Sequence, residues 1–203
     1  MSVNVAELNI ISLNDELRQV AVRQYLQCLR LAHDLGAACL VLPSGRRALR
    51  VVPPDVSRAM LLQQLESLLP EAARLGVKIA LETMAFGFLG AAEDVAAVVD
   101  HFGDENLGIC YDCTNSFVAG EEPAAGVAAA GRRLLMMHVS DCWRSQHAHT
   151  SIGTGEIDFA ALAIAANRVG FAGTSVYELV DAGDPRPRLA ADLARLTALG
   201  WSL

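Results

Sequence analysis

The sequence predicts an α/β fold of the (β/α)-barrel type, incomplete, with about six parallel strands in a single domain spanning residues 1–203. Three observations carry this. Short apolar runs alternate with longer segments of helical spacing. The runs are apolar at almost every position, as in strands buried on both faces. No G-x-G-x-x-G or G-x-x-x-x-G-K motif opens a helix, which places a nucleotide-binding doubly wound sheet behind a barrel.

The elements follow in order. "NDELRQVAVRQYLQCLRLAHDLG" (14–36) has an N-cap residue, apolar positions three and four apart and a closing glycine, so it reads as a helix. "CLVLPSG" (39–45) is a strand ended by Pro and Gly. Residues 55–76 are helical, with Val56, Met60, Leu61, Leu65, Leu68, Leu69 and Ala72 on one face; Pro70 is expected to kink or split this helix. "VKIALE" (77–82), "LGICYD" (107–112), "LLMMHVSD" (134–141) and "GTSVYELV" (173–180) read as strands. Between and after them, 91–103, 158–170 and 186–200 read as helices, and 121–131 as a weak helix interrupted by glycine.

Composition narrows the function. The chain has 203 residues, 53% of them hydrophobic, enough for one sizeable core. A formal charge of −7 opposes binding along a phosphate backbone, so nucleic acid is not an expected partner. The densest basic cluster, "SGRRALR" (44–50), is short: a solvated loop, or a contact for one small anion. No apolar stretch is long enough for a membrane span, and "MSVNVAELNI" lacks the regions of a signal peptide, so a cytoplasmic location is expected. The five cysteines fit reduced thiols. Cys110 and Cys113 form one C-x-x-C without a second to complete a zinc site, and packing is the favoured reading.

Polar residues stand where apolar strands end: Glu82, Asp112, His138 and Glu178. In a parallel barrel the carboxyl ends of all strands open onto one face, where sites assemble. Three carboxylates and an imidazole form a ligand set for one divalent ion, Mn²⁺, Mg²⁺ or Co²⁺ ahead of Zn²⁺. Each residue alone is better read as an ion pair or a loop cap. All four in register favour metal, because like charges gathered without a cation are costly.

The blocks "LGVKIALET", "LGICYDCTNSFVAGEEP", "MMHVSDCWRSQHAHTSIGTGEIDFAAL" and "GFAGTSVYEL", preceded by "AHDLGAACLVLPSG", resemble successive blocks of the sugar phosphate isomerase/epimerase family, the xylose-isomerase-like TIM barrels. The resemblance runs from about residue 8 to the C-terminus. It implies a metal on Glu82, Asp112, His138 and Glu178, with Glu82 and Glu178 also serving as catalytic base and acid. Arg144 holds the spacing of a substrate-binding arginine six residues past the metal histidine. Asn115 stands where ketose epimerases usually carry histidine, although other isomerase-like members carry D-x-x-N. His149 is expected at the substrate or behind the ligands, and His147 is expected to be merely exposed.

The implied activity is metal-dependent isomerisation or epimerisation of a sugar, sugar phosphate or related polyol through an enediolate. Polyol dehydration starts from the same proton abstraction. The family's relative endonuclease IV suggests a hydrolase instead, with His149 at a zinc-ligand position but His147 and Asn115 replacing two other ligands. A sugar-binding or degenerate member without turnover is the third alternative. Family members normally open with two further βα units; this chain is expected to begin at the third strand, with "ELNIISL" as the remnant of that strand. An open sheet exposes two edges, and from this a homo-oligomer is expected.

Overall fold

The structure, a computed structural model, describes residues 8–46, 52–180, 184 and 186–201. A five-stranded parallel sheet, in the order β1-β2-β3-β4-β7, forms an open half-barrel covered by helices. Its strands are β1 (Cys39–Pro43), β2 (Lys78–Glu82), β3 (Leu107–Asp112), β4 (Leu134–Val139) and β7 (Thr174–Tyr177). A two-stranded antiparallel hairpin, β5 (Asp141–Trp143) with β6 (Gln146–Thr150), stands beside the sheet. The helices are α1 (Asp15–Asp34), α2 (Pro54–Leu75), α3 (Ala92–Phe102), α4 (Cys113–Val118), α5 (Pro123–Ala130), α6 (Phe159–Arg168) and α7 (Arg186–Ala198).

The α/β barrel architecture agrees with expectation, and the count of parallel strands among the described residues is five, not about six. The sixth was sought in "ELNIISL", but residues 8–13 form turns and bends. Asn9 explains why: its side-chain oxygen accepts from the Ile11 and Arg46 N–H groups, so local polar bonds replace a sheet ladder. The basic cluster at 44–50 lies mostly outside the described residues.

Helix α2 runs unbroken through Pro70. The ring removes one backbone donor, which frees the carbonyl of Glu66 four residues earlier. Pro70 and Glu66 are both exposed, so water can take the freed carbonyl while Leu61, Leu65, Leu68 and Leu69 hold the buried face. The predicted split therefore does not occur. Helix α1 starts as expected: the Asn14 side chain accepts from the N–H groups of Glu16 and Leu17.

The glycine in α5 has a tertiary cause. A Cβ at Gly126 would lie 2.3 Å from both the Tyr111 hydroxyl and Glu121 Oε2. That hydroxyl donates to Glu121 at 3.0 Å, and Glu121 in turn accepts from the Ala92 N–H, the first donor of α3. One carboxylate thus ties β3, α3 and the start of α5 together. Burial pushes the Glu121 carboxyl above its ordinary value.

Candidate metal centre

Register and sheet tilt bring the polar strand ends together. Glu82 lies opposite Cys110, and Asp112 stands two residues further along β3, on the same face. Asp112 lies opposite His138, and His138 opposite Val176, so Glu178 is again two residues further along, past the end of β7. The Glu178 N–H still bonds to the Val139 carbonyl at 3.1 Å and extends the ladder. This stepwise offset is the stagger of a barrel, and it sets four residues of different register into one layer.

Glu82, Asp112, His138 and Glu178 each offer a ligand atom, all within 4.8 Å of one another. Their convergence agrees with the sequence expectation. His138 Nδ1 lies 3.0 Å from Glu82 Oε1, 3.1 Å from Glu178 Oε2 and 3.8 Å from Asp112 Oδ2. Yet buried Nδ1 and buried Glu178 Oε2 have no hydrogen-bond partner. Buried polar atoms are rarely left so, and a cation is the partner that satisfies a nitrogen and three carboxylates at once. The residues present therefore fit a divalent metal.

The titration states agree. Burial opposes a charge on His138, but Asp112, Cys110, Glu178 and Glu82 around the ring outweigh it and push its pKa strongly up. Burial raises the Glu82 carboxyl, with the neighbouring Asp112 and Glu178 adding to it and His138 opposing. Contact with His138 pulls Glu178 down despite its burial.

Of the other predicted residues, Asn115 and His149 adjoin the cluster, whereas Arg144 bonds to Phe117, Glu122 and Glu156 and to none of the four. Asp112 caps α4: its Oδ1 accepts from the Asn115 N–H at 2.9 Å and its Oδ2 from Asn115 Nδ2 at 2.7 Å. Asn115 Oδ1 lies 2.8 Å from His147 Nε2. Asn115 therefore orients a candidate ligand, and His147, although exposed, is not merely exposed. Its ring also meets the edges of Phe86 and His149 at 5.2 Å. His149 Nδ1 sits 2.9 Å from Ser140 Oγ and 3.6 Å from Glu178 Oε2, which puts this histidine beside the cluster. Arg144, in the turn between β5 and β6, stacks 3.8 Å over Phe117, donates to the Phe117 carbonyl and pairs with Glu122.

One residue escaped the sequence reading and another was read as packing. Asp141, fully buried, accepts from four backbone N–H groups: Cys142 and Ile157 on Oδ1, Gly153 and Gly155 on Oδ2. A Cβ at Gly155 would lie 2.2 Å from the Cys142 carbonyl, so "SIGTG" is a turn built around this carboxylate. The acidic residue three past His138, followed by two spaced glycines, was its only signal. The other is Cys110, whose sulfur joins a second group of ligand atoms with Glu82 and His138. Period-two spacing from Asp112 could have flagged it.

This parallel half-barrel thus carries a layer of candidate metal ligands at its strand ends. The chain belongs to the xylose isomerase-like TIM barrel family, whose model matches residues 1–199. Among curated relatives, the probable endonuclease 4 of Mycobacterium ulcerans and that of Mycobacterium marinum are each 27% identical over 161 residues. That match covers 74% of this chain and 62% of theirs, so the chain spans under two thirds of their length. Among solved structures, a D-tagatose 3-epimerase-like protein superposes with a TM-score of 0.85 at 23% identity, over 96% of this chain and 74% of its own. The 3-keto-D-glucoside 4-epimerase of E. coli gives 0.80 at 21%, over 95% and 76%. An L-ribulose 3-epimerase gives 0.77 at 21%, over 98% and 65%.

Proposed function

We propose that the chain is a divalent-metal-dependent isomerase or epimerase of a sugar, sugar phosphate or related polyol, acting through an enediolate of the substrate. The observation that carries this reading is the four-residue layer with its unpartnered His138 Nδ1 and Glu178 Oε2. Mn²⁺, Mg²⁺ or Co²⁺ suits a set of three carboxylates and one imidazole. When bound, such an ion polarises a carbonyl and its neighbouring hydroxyl and stabilises negative charge developing on oxygen.

The remaining chemistry belongs to the chain's own groups. Epimerisation or isomerisation removes a proton next to a carbonyl and returns it. Glu82 and Glu178 flank His138 from β2 and from the end of β7, and their environments move the two carboxyls in opposite directions. A pair separated in this way suits one base and one acid. His149 stands beside the layer, where a substrate hydroxyl would meet it, and buried Asn115 would contact substrate by releasing His147. Arg144 would reach a substrate hydroxyl or phosphate by exchanging Glu122 for it. The compartment and the proposed homo-oligomer are extensions of the same reading; no helix among the described residues is long and apolar enough to cross a membrane.

A metal-dependent hydrolase is the second reading, favoured by the endonuclease 4 relatives and by His149 lying 3.6 Å from Glu178. The net charge of −7 counts against a nucleic-acid substrate. The deciding experiment is an exchange screen: ketoses and ketose phosphates with protein and Mn²⁺ in D₂O, followed by NMR. Loss of an α-hydrogen signal supports the proposal. Mn²⁺ binding without exchange across the panel leaves a binding module, and cleavage of an abasic-site duplex at a comparable rate supports the hydrolase.

A further inference from the structure

The proposed reaction makes no use of Cys110. This residue lies opposite Glu82 in register and two residues before Asp112, so its side chain leaves β3 on the same face, one step deeper into the half-barrel. A Glu82 oxygen, the Cys110 sulfur and a His138 nitrogen lie within 4.8 Å of one another. A single ion with bonds of about 2.0–2.3 Å spans ligand atoms up to about 4.6 Å apart, so a small rotation of these side chains within that limit brings all three into reach. Cys110 is fully buried and Glu82 is 8% exposed, so water competes poorly for this position. The neighbouring sulfurs are engaged elsewhere: Cys113 faces the Ser140 carbonyl and Cys142 the Thr114 carbonyl.

We propose that Glu82, Cys110 and His138 form a second, thiophilic metal position, which shares two ligands with the carboxylate-rich layer and so excludes an ion there. Binding is a ligand exchange: the sulfur–metal bond forms, the thiol proton leaves to solvent, and the ion arrives as M²⁺ with no change in oxidation state. Sulfur and imidazole beside one carboxylate select Zn²⁺ and Cd²⁺ and hold Co²⁺ more tightly than three carboxylates and an imidazole do, a set that selects Mn²⁺ or Mg²⁺ and also accepts Co²⁺. Soft ions at the deeper position take Glu82 and His138 with them, which makes them inhibitors of an activity supported by Mn²⁺. The inference rests on the proposed function only for this inhibition; binding at the deeper position stands without it.

Cobalt provides the test. Co²⁺ titrated into the full chain should give a thiolate-to-cobalt charge-transfer band in the near ultraviolet. Cys110→Ser should abolish the band, weaken Cd²⁺ binding at least tenfold and leave Mn²⁺ affinity within twofold. Cys113→Ser should keep the band. In the wild-type chain Cd²⁺ and Mn²⁺ should displace each other one for one. A wild-type chain without the band, whether because Co²⁺ does not bind or because it binds without sulfur, overturns the proposal, as does a band that survives Cys110→Ser. Should that variant not fold, X-ray absorption of the zinc-loaded wild type decides, through the presence or absence of a sulfur neighbour at about 2.3 Å. Failure of Mn²⁺ to bind the wild type counts against the proposed function and leaves the cobalt result intact, so the two failures are distinguishable.

Discussion

The carboxylates crowded around His138 have a measurable consequence when the chain is stripped of metal. Asp112, Cys110, Glu178 and Glu82 outweigh burial and raise the His138 pKa far above its ordinary value of about 6.5. Above that pH the native chain binds one proton that the unfolded chain has lost. The sign follows: the stabilisation is fully present below about pH 6.5 and is lost progressively as pH rises through the folded-state value. For one proton the slope is about 1.4 kcal/mol per pH unit, so the step from about pH 6.5 to 8 removes about 2 kcal/mol. For a chain of this size that lowers Tm by about 4–8 °C. Metal affinity runs the other way, because the ion must displace the proton, and it should rise about tenfold per pH unit. The assay pairs calorimetric melts at several pH values with Mn²⁺ titrations, for the wild type and His138→Ala. Other titrating groups contribute to both chains, so the difference between them isolates His138. A wild-type slope equal to that of His138→Ala, together with pH-independent Mn²⁺ affinity, would refute the reasoning.

Further tests concern the surround. His138→Ala should weaken Mn²⁺ binding more than 100-fold, whereas His147→Ala, which reaches the ligands indirectly through Asn115 and His149, should cost about tenfold or less by calorimetric titration. Equal losses would mean that the ligand histidine is misassigned. Asp141→Ala orphans four backbone donors around "SIGTG" and should destabilise by about 3–4 kcal/mol in urea melts, with faster amide exchange at Gly153 and Gly155. Gly126→Ala forces apart the Tyr111–Glu121 pair and should cost about 1–3 kcal/mol; an unchanged melt would contradict the packing described. Among the described residues β1 and β7 each leave one edge of the parallel sheet unpaired, so light scattering should detect self-association at micromolar concentrations. A monomer at concentrations well above that would remove the basis for the proposed homo-oligomer.

Periodicity alone determined much of this protein. Apolar runs ending in Glu82, Asp112 and His138 read as strands buried on both faces, because a half-exposed strand would alternate, a surface helix would repeat every three to four residues, and a buried helix would run longer between its turn residues. Carboxylates gathered at several such ends point to a site, whereas one alone reads as an ion pair or a cap. Three-dimensional facts decided the rest. Whether Glu82, Asp112, His138 and Glu178 share one layer depends on register, and a shift of one residue would turn any of them to the other face. Register in turn depends on how β4 bulges, between its pairings at Leu134 and Met136, where Gly108 leaves room for Leu135. Pro70 was misjudged because helix breaking is a local property, and here the freed carbonyl faces solvent while the opposite face is held by packing. Asp141 and Gly126 were illegible for a related reason. Their partners, "SIGTG" and the Tyr111–Glu121 pair, are brought to them by tertiary folding, and no spacing along the chain encodes a contact that only the closed fold creates.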